Sequence, residues 1–382
     1  MKRMADVIVI GLGAMGSAAA GFLAEKGCRV AAFDRFKPPH VHGSSHGLSR
    51  IFRQAYWEDS RYVHLLLRSA ELWKKLERNC GRQLLHVTGA LMIAPANGQL
   101  VSRSAESARQ FGLSHEILSA GELKQRWPVF QVDRDTVALL EHHAGYLVPE
   151  ECVEQQLIHA VRAGAQLYYN EPVLEWSAAS GGVIVRTTRG TCSAGHLVIA
   201  SGPWAPQVLT EMNLPLRVTR QVIYWFEPKE RIDLFREGRL PIYLCETESK
   251  EPLVYGLPLI GVDSEGVKVG VHGSDEVCTP ETICREIRPE DEQYIRRRLA
   301  ETLPSLAGRL LRAETCLYTM TADENFVIGP HPHNSAVTLA VGFSGHGFKF
   351  APIIGEIVSE LVRTGKSTSD IRMFSPERFA PV

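Results

Sequence analysis

The chain has 382 residues, 42 of them Lys or Arg and 43 Asp or Glu, for a formal net charge of -1. That length allows two or three domains or one large interleaved unit, and 45% hydrophobic with 22% charged residues excludes a disordered chain. The balanced charge argues against nucleic-acid binding, and no apolar run reaches the ~18 residues of a membrane helix.

The opening Met1-Lys2-Arg3-Met4-Ala5-Asp6 brings two cations, but the apolar run behind it breaks at Gly11, too soon for a signal-peptide core. Residues 7–10 predict a strand, 15–25 a helix and 29–33 a second strand, together a β-α-β unit. The turn Gly11-Leu12-Gly13-Ala14-Met15-Gly16 fits G-x-G-x-x-G, and Asp34 closes the second strand 18 residues beyond Gly16. Gly11 permits the tight turn, Gly13 lets a pyrophosphate approach the backbone, and Gly16 lets helix pack on strand. The helix N-terminus offers N–H groups to phosphates, and Asp34 would accept from a ribose hydroxyl, which disfavours NADP. FAD and NAD both satisfy this signature.

A helix over 62–78 puts Leu65, Leu66, Ser69, Leu72, Trp73 and Leu76 on one side. Short strands and helices mix through 84–145, and 150–163 predicts a helix. Strands at 183–187 and 197–200 return to the first sheet. Segments 217–227 and 253–273, rich in β-branched and aromatic residues, predict antiparallel sheet, and a polar helix follows over 289–302. The chain closes with a strand at 337–341, a glycine loop at 342–347 and a helix over 352–363. The terminal Phe379-Ala380-Pro381-Val382 carries no peroxisomal or retention signal, so the chain reads as cytoplasmic. Eight cysteines (Cys28, Cys80, Cys152, Cys192, Cys245, Cys278, Cys284 and Cys316) make no CxxC pair and have no His at metal-ligand spacing. They predict reduced thiols, mostly buried, and no metal.

Four stretches narrow the reading: Pro38-Pro39-His40, the run Gly43-Ser44-Ser45-His46-Gly47-Leu48-Ser49-Arg50-Ile51-Phe52-Arg53, Cys316-Leu317-Tyr318, and Gly342-Phe343-Ser344-Gly345-His346-Gly347-Phe348-Lys349. Together they resemble the monomeric sarcosine oxidase family, with its N-methyltryptophan and peroxisomal sarcosine/pipecolate relatives, in the FAD-dependent amino acid oxidase group. The resemblance runs from about residue 6 to about residue 375. It implies an α/β fold in which a Rossmann-type FAD-binding domain (1–85, 146–215 and 318–382) is interleaved with an antiparallel-sheet substrate domain (86–145 and 216–317). It implies a monomeric, FAD-dependent oxidase of small secondary amino acids that returns electrons to O2 as H2O2. L-pipecolate, L-proline and N-methyltryptophan stay open beside sarcosine. On residues alone, an NAD-dependent dehydrogenase and a non-enzymatic flavin module also stay open. Ser45, with Tyr56, Glu58 and Asp59 close by, is nearer the pipecolate/sarcosine branch, while Leu48, Gln54 and Trp57 depart from the bacterial pattern.

The resemblance also assigns roles. Cys316 matches the cysteine joined through sulfur to the flavin, a reaction that needs a thiolate. Arg53 and Lys349 match a pair that holds the substrate carboxylate, one by a planar fork and one as a point charge. Gly345 and Gly347 would let backbone approach a flat ring. The helix after them would turn its positive end to the flavin pyrimidine. Lys268 is assigned to oxygen activation, and its place in an alternating strand makes it either inward-pointing or an edge guard. His272 shares its face and lines the cavity or is structural. Ser44, His46 and Arg50 match positions near the flavin, and Tyr255 and Tyr318 are candidate cavity walls. No dedicated base is evident; a substrate amine entering a site rich in cations loses its own proton.

Overall fold

A computed structural model describes residues 4–247, 249, 251–261 and 266–379. Residues 262–265, inside the 253–273 segment, and the last three residues of the C-terminal stretch lie outside the described residues.

The β-α-β unit forms as its pattern predicts: strand Ala5–Ile10, helix Ala14–Glu25 and strand Val30–Phe33. Ala5–Ile10 sits mid-sheet, parallel to Val30–Phe33 on one side and to Gly190–Ile199 on the other. Asn334–Val341 extends the parallel set beyond Gly190–Ile199, and Gln166–Tyr168 extends it beyond Val30–Phe33. Successive residues of the first strand face opposite layers, because side chains alternate at period two. Val7 and Val9 join the helical layer, while Ile8 and Ile10 join the core beneath Val183, Val185 and Leu209. Helix Ala14–Glu25 is rich in Ala and Gly because neighbours crowd it: a Cβ on Gly355 of helix Ala351–Thr364 would stand 2.8 Å from Ala18. The strand over 183–187 does return to this sheet, antiparallel to Gly190–Ile199.

Among the described residues the first sheet and the second each have eight strands. The strands of the second are antiparallel neighbours save one parallel pair, Ile242–Cys245 beside Ala90–Pro95. The 84–145 region therefore supplies strands to this sheet rather than a separate unit. Strand Leu310–Met320 pairs along its length with Arg217–Phe226. The boundary we place at 318 thus falls inside one strand. A small third sheet, Arg50–Phe52, Gly145–Leu147 and Leu85–Val87, ties the two halves together.

All eight cysteines are free thiols, but only Cys152, Cys245 and Cys316 are buried; four are half-buried and Cys284 is exposed. Five of the eight are thus at least partly exposed, three of them in loops, which corrects the expectation that most are buried. Among the described residues no helix is long and apolar enough to cross a membrane. None of them groups three His, Cys, Asp or Glu side chains around a metal position.

Candidate active site

One cavity of about 360 Å³ runs between the two large sheets. Its dinucleotide part is built by Gly11, Gly13 and Asp34. Gly11 has φ 92°, and a Cβ there would strike the Ala200 carbonyl at 2.4 Å. Gly16 does not line the cavity: its Cβ would lie 1.8 Å from the Gly11 carbonyl oxygen, so glycine there is a packing requirement. A Cβ on Gly13 would meet nothing closer than Ser45 Oγ at 3.5 Å, which leaves its backbone open to a ligand. No side chain caps the helix that starts at Ala14, apart from Ser45 Oγ accepting from Ala14 N at 3.3 Å. Asp34 accepts from Leu12 N and Phe36 N, one on each carboxylate oxygen, which fixes its carboxylate against the glycine turn. An uncapped helix end, an open glycine and a buried acid in one cavity fit a dinucleotide.

The 44–50 loop is stitched to strand Leu310–Met320. Ser44 Oγ donates to the Leu317 carbonyl at 2.6 Å, so that hydroxyl serves the protein. Arg50 Nη2 donates to Ser44 O at 3.0 Å and stands 3.6 Å from Cys316 Sγ. Burial opposes ionisation of Cys316, yet His46 and Arg50 outweigh it and lower the thiol to about 7. His46 lies outside the cavity lining, 2% exposed, with Nδ1 3.5 Å from Glu314 Oε2. Burial disfavours its cation, but Cys316 and Glu314 raise it to about 9.

Lys268 is inward-pointing, not an edge guard: its strand Val267–Val271 is flanked on both sides and entirely buried. Its Nζ donates to Gly47 O at 2.6 Å, Ser49 O at 2.7 Å and Ser49 Oγ at 3.3 Å. Three acceptors match the three protons of an ammonium. Burial and Arg50 push Lys268 well below the usual lysine range. The loop that receives Lys268 is held from behind by Glu150, whose Oε1 accepts from Gly47 N at 2.6 Å and Leu48 N at 3.1 Å. That clamp fixes Gly47 and Leu48 in left-handed backbone, φ 99° and 65°.

Arg53 and Lys349 meet in the same cavity, both at most 5% exposed. Arg53 Nη2 donates to Glu58 Oε1 at 2.5 Å and its guanidinium lies 4.4 Å from the Tyr56 ring centre. Burial opposes the Glu58 charge, but Arg53 holds the carboxyl down to about 2. Lys349 Nζ donates to His346 O at 2.6 Å and reaches Tyr56 Oη at 3.5 Å. Burial and Arg53 lower Lys349 to about 7. His346 Nε2 faces the Glu324 carbonyl at 3.0 Å, so that nitrogen carries the proton. Its Nδ1 then accepts from Tyr56 Oη at 2.6 Å, and burial keeps the ring neutral. The Lys349 carbonyl is pinned by Ser69 Oγ at 2.5 Å and Trp73 Nε1 at 3.0 Å, which explains two members of the predicted helix stripe.

Tyr255, Tyr318 and His272 complete the lining. Tyr255 lies over Gly270, where a Cβ would meet its hydroxyl at 2.6 Å. His272 Nδ1 is 3.5 Å from Tyr318 Oη, and burial lowers His272 to about 4. Gly345 has φ 78°, and its Cβ would strike the Tyr318 ring at 2.3 Å; Gly347 would strike Phe343. The flat ring that demands glycine at 345 is thus Tyr318. Of the expected site residues, only Gly16 and His46 fall outside the lining. Sequence reasoning assigned no role to Glu314, Glu150, Ser45 or His346. Among the departures it noted, Ser45 and Trp57 line the cavity, whereas Leu48 and Gln54 do not.

Residues 6–361 match the family model described as FAD dependent oxidoreductase. The chain is 46% identical over 381 residues to a monomeric sarcosine oxidase of Streptomyces avermitilis, covering all of this chain and 99% of that enzyme. It is 33% identical over 379 residues to an N-methyl-L-tryptophan oxidase of Yersinia pestis, covering 98% and 99%. Among solved structures it resembles NikD, an unusual amino acid oxidase essential for nikkomycin biosynthesis, with TM-score 0.84 over 97% of each chain at 25% identity.

Proposed function

We propose that this chain, which belongs to the monomeric sarcosine oxidase family of FAD-dependent oxidoreductases and is an FAD-dependent amine oxidase, acts on small secondary amino acids of the sarcosine type. The observation that carries the substrate reading is the buried cation pair Arg53 and Lys349 in the cavity that also holds Cys316 and the dinucleotide turn. Its 46% identical Streptomyces relative is a monomeric sarcosine oxidase, which supports reading this chain as a monomer.

When bound, FAD supplies the acceptor for a hydride from the C–H bond beside the substrate nitrogen and returns the electrons to O2 as H2O2. Gly11, Gly13 and Asp34 would hold its dinucleotide, and Cys316 would tether it. Arg53 and Lys349 hold the substrate carboxylate, which exchanges with Glu58 for the Arg53 fork. The Tyr56–His346 hydrogen bond fixes Lys349 in place. Tyr255, Tyr318 and neutral His272 wall the cavity and exclude water. Arg50, Arg53 and Lys349 disfavour an ammonium substrate, so the amine loses its proton on binding and no carboxylate base is needed. Sarcosine would yield glycine and formaldehyde after hydrolysis of its imine. Trp57, an apolar plate in the lining, favours cyclic acids such as L-proline or L-pipecolate as the next substrates to test.

A charge-assisted hydrogen bond contributes roughly 1.5–3 kcal/mol, so Arg53→Met and Lys349→Met should each weaken pyrrole-2-carboxylate binding by about 10- to 100-fold. Arg53→Lys should not restore it, because the fork is lost. Equilibrium titration of the flavin spectrum checks this, and dimethylamine reducing the enzyme as readily as sarcosine would remove the clamp. The same titration has a pH signature. Lys349, lowered to about 7, is charged below that pH and neutral above it. Carboxylate affinity should therefore fall as pH rises through about 7, by up to about tenfold per unit, and Lys349→Met should flatten the slope. An unchanged slope in Lys349→Met assigns the proton elsewhere.

A further inference from the structure

Strand Leu310–Met320 alternates, so Arg312, Glu314, Cys316 and Tyr318 share one face. Glu314 Oε1 is engaged by Arg312, whose guanidinium lies 4.8 Å from the Trp225 ring centre. Glu314 Oε2 is buried and accepts no hydrogen bond, and it stands 3.5 Å from His46 Nδ1, which is equally buried and equally unpartnered. Two such atoms facing each other are costly unless they carry opposite charge. The Cys316 sulfur lies at the cavity wall two residues along the same strand face, 3.6 Å from Arg50 Nη2 and 4.0 Å from the Ser44 carbonyl oxygen of the loop that carries His46.

We propose that Glu314 is a positioning residue that holds His46 as a cation beside Cys316, completing an acid–imidazole–thiol line that keeps the sulfur ionised before the flavin is joined to it. The inference rests on reading Cys316 as the attachment point. In this step the thiol proton leaves to solvent and no bond to carbon is made. Other charged or titratable groups face the sulfur: Arg50 and Lys268 from neighbouring elements, and the phenols Tyr255 and Tyr318. Of these, Arg50 favours the thiolate as well. Glu314 acts through His46: without the carboxylate, a buried imidazole loses its proton, and its charge no longer supports the sulfur. The direction agrees with the thiol lowered to about 7 and the imidazole raised to about 9.

The test uses full-length protein freed of FAD by riboflavin limitation. The rate of Cys316 alkylation by iodoacetamide is followed against pH and located by peptide mass spectrometry. The wild-type midpoint should lie near neutrality. Glu314→Gln should raise it by about one unit, which slows alkylation at pH 7 by about five-fold. Glu314→Asp, which keeps the charge but withdraws it, should fall between, and it carries the comparison if Glu314→Gln does not fold. His46→Gln should raise the midpoint as well, and the double variant should go no higher than the His46 variant. Equal midpoints in wild type and the Glu314 variants, or additive shifts in the double variant, overturn the line. The Cys316 peptide of the holoenzyme is read separately. An absence of flavin there removes the attachment reading, while a shifted midpoint still upholds the role of Glu314.

Discussion

Replacing Lys268 by Met is expected to leave anaerobic reduction by substrate largely intact and to slow reaction of the reduced enzyme with O2 by about 10²–10³-fold, the usual scale for loss of one preorganised charge. Electron transfer to O2 creates negative charge where little existed before. A cation fixed in advance stabilises that charge without reorganising at the moment of reaction. Lys268 is fixed by three acceptors from one loop, Gly47 O, Ser49 O and Ser49 Oγ. Those contacts engage all its protons, so an incoming oxygen would meet its charge rather than a free donor. Met keeps the stem and its packing beside Trp225 while deleting the charge. Stopped-flow mixing of substrate-reduced enzyme with O2 separates the two half-reactions. A collapse of reduction with unchanged reaction toward O2 would place Lys268 in substrate binding.

The fold was legible where local signals agree. The glycine turn, the Ala-rich helix and Asp34 specify one another within 34 residues, and the helix stripe through Ser69 and Trp73 marked a real face. Strand Ile242–Cys245 was not legible, because all four residues are buried and a short uniformly apolar run has no period to read. Gly13, open to a ligand, and Gly16, closed by Gly11, match the separate roles that their places in the turn predict, whereas only the structure shows Gly345 closed by the Tyr318 ring.

The site was legible in its cations and hidden in its acids. Arg50, Arg53, Lys268 and Lys349 lie in recognisable motifs or in an apolar strand where a charge is conspicuous. Glu58, Glu150 and Glu314 lie in ordinary polar contexts, and Glu150 opens a helix where an acid is commonplace. Yet each acid governs a cation's position: Glu58 holds Arg53, Glu150 holds the loop that receives Lys268, and Glu314 faces His46. Pairings of this kind join residues as far apart as 268 in sequence, and no local pattern announces them.

The largest effect expected of any single substitution is on the tether. Wild-type protein denatured in acid should keep its yellow colour in the pellet, and the peptide containing Cys316 should carry the added mass of the flavin. Cys316→Ser should release all of its flavin into the supernatant while still binding FAD before denaturation. The noncovalent cradle at Gly11, Gly13 and Asp34 does not use the sulfur, so binding survives the substitution. Serine is the informative replacement because it preserves size and hydrogen bonding but resists ionisation far more than a thiol does. It stands beside the same Arg50 and His46, so a failure to attach isolates thiolate chemistry from mere placement. The tether should also make the flavin a stronger oxidant, and substrate reduction in Cys316→Ser should slow even with FAD saturating. An unmodified Cys316 peptide from yellow, active wild-type enzyme would end this assignment. It would leave Arg50 and His46 needing another reason to gather charge around a buried sulfur.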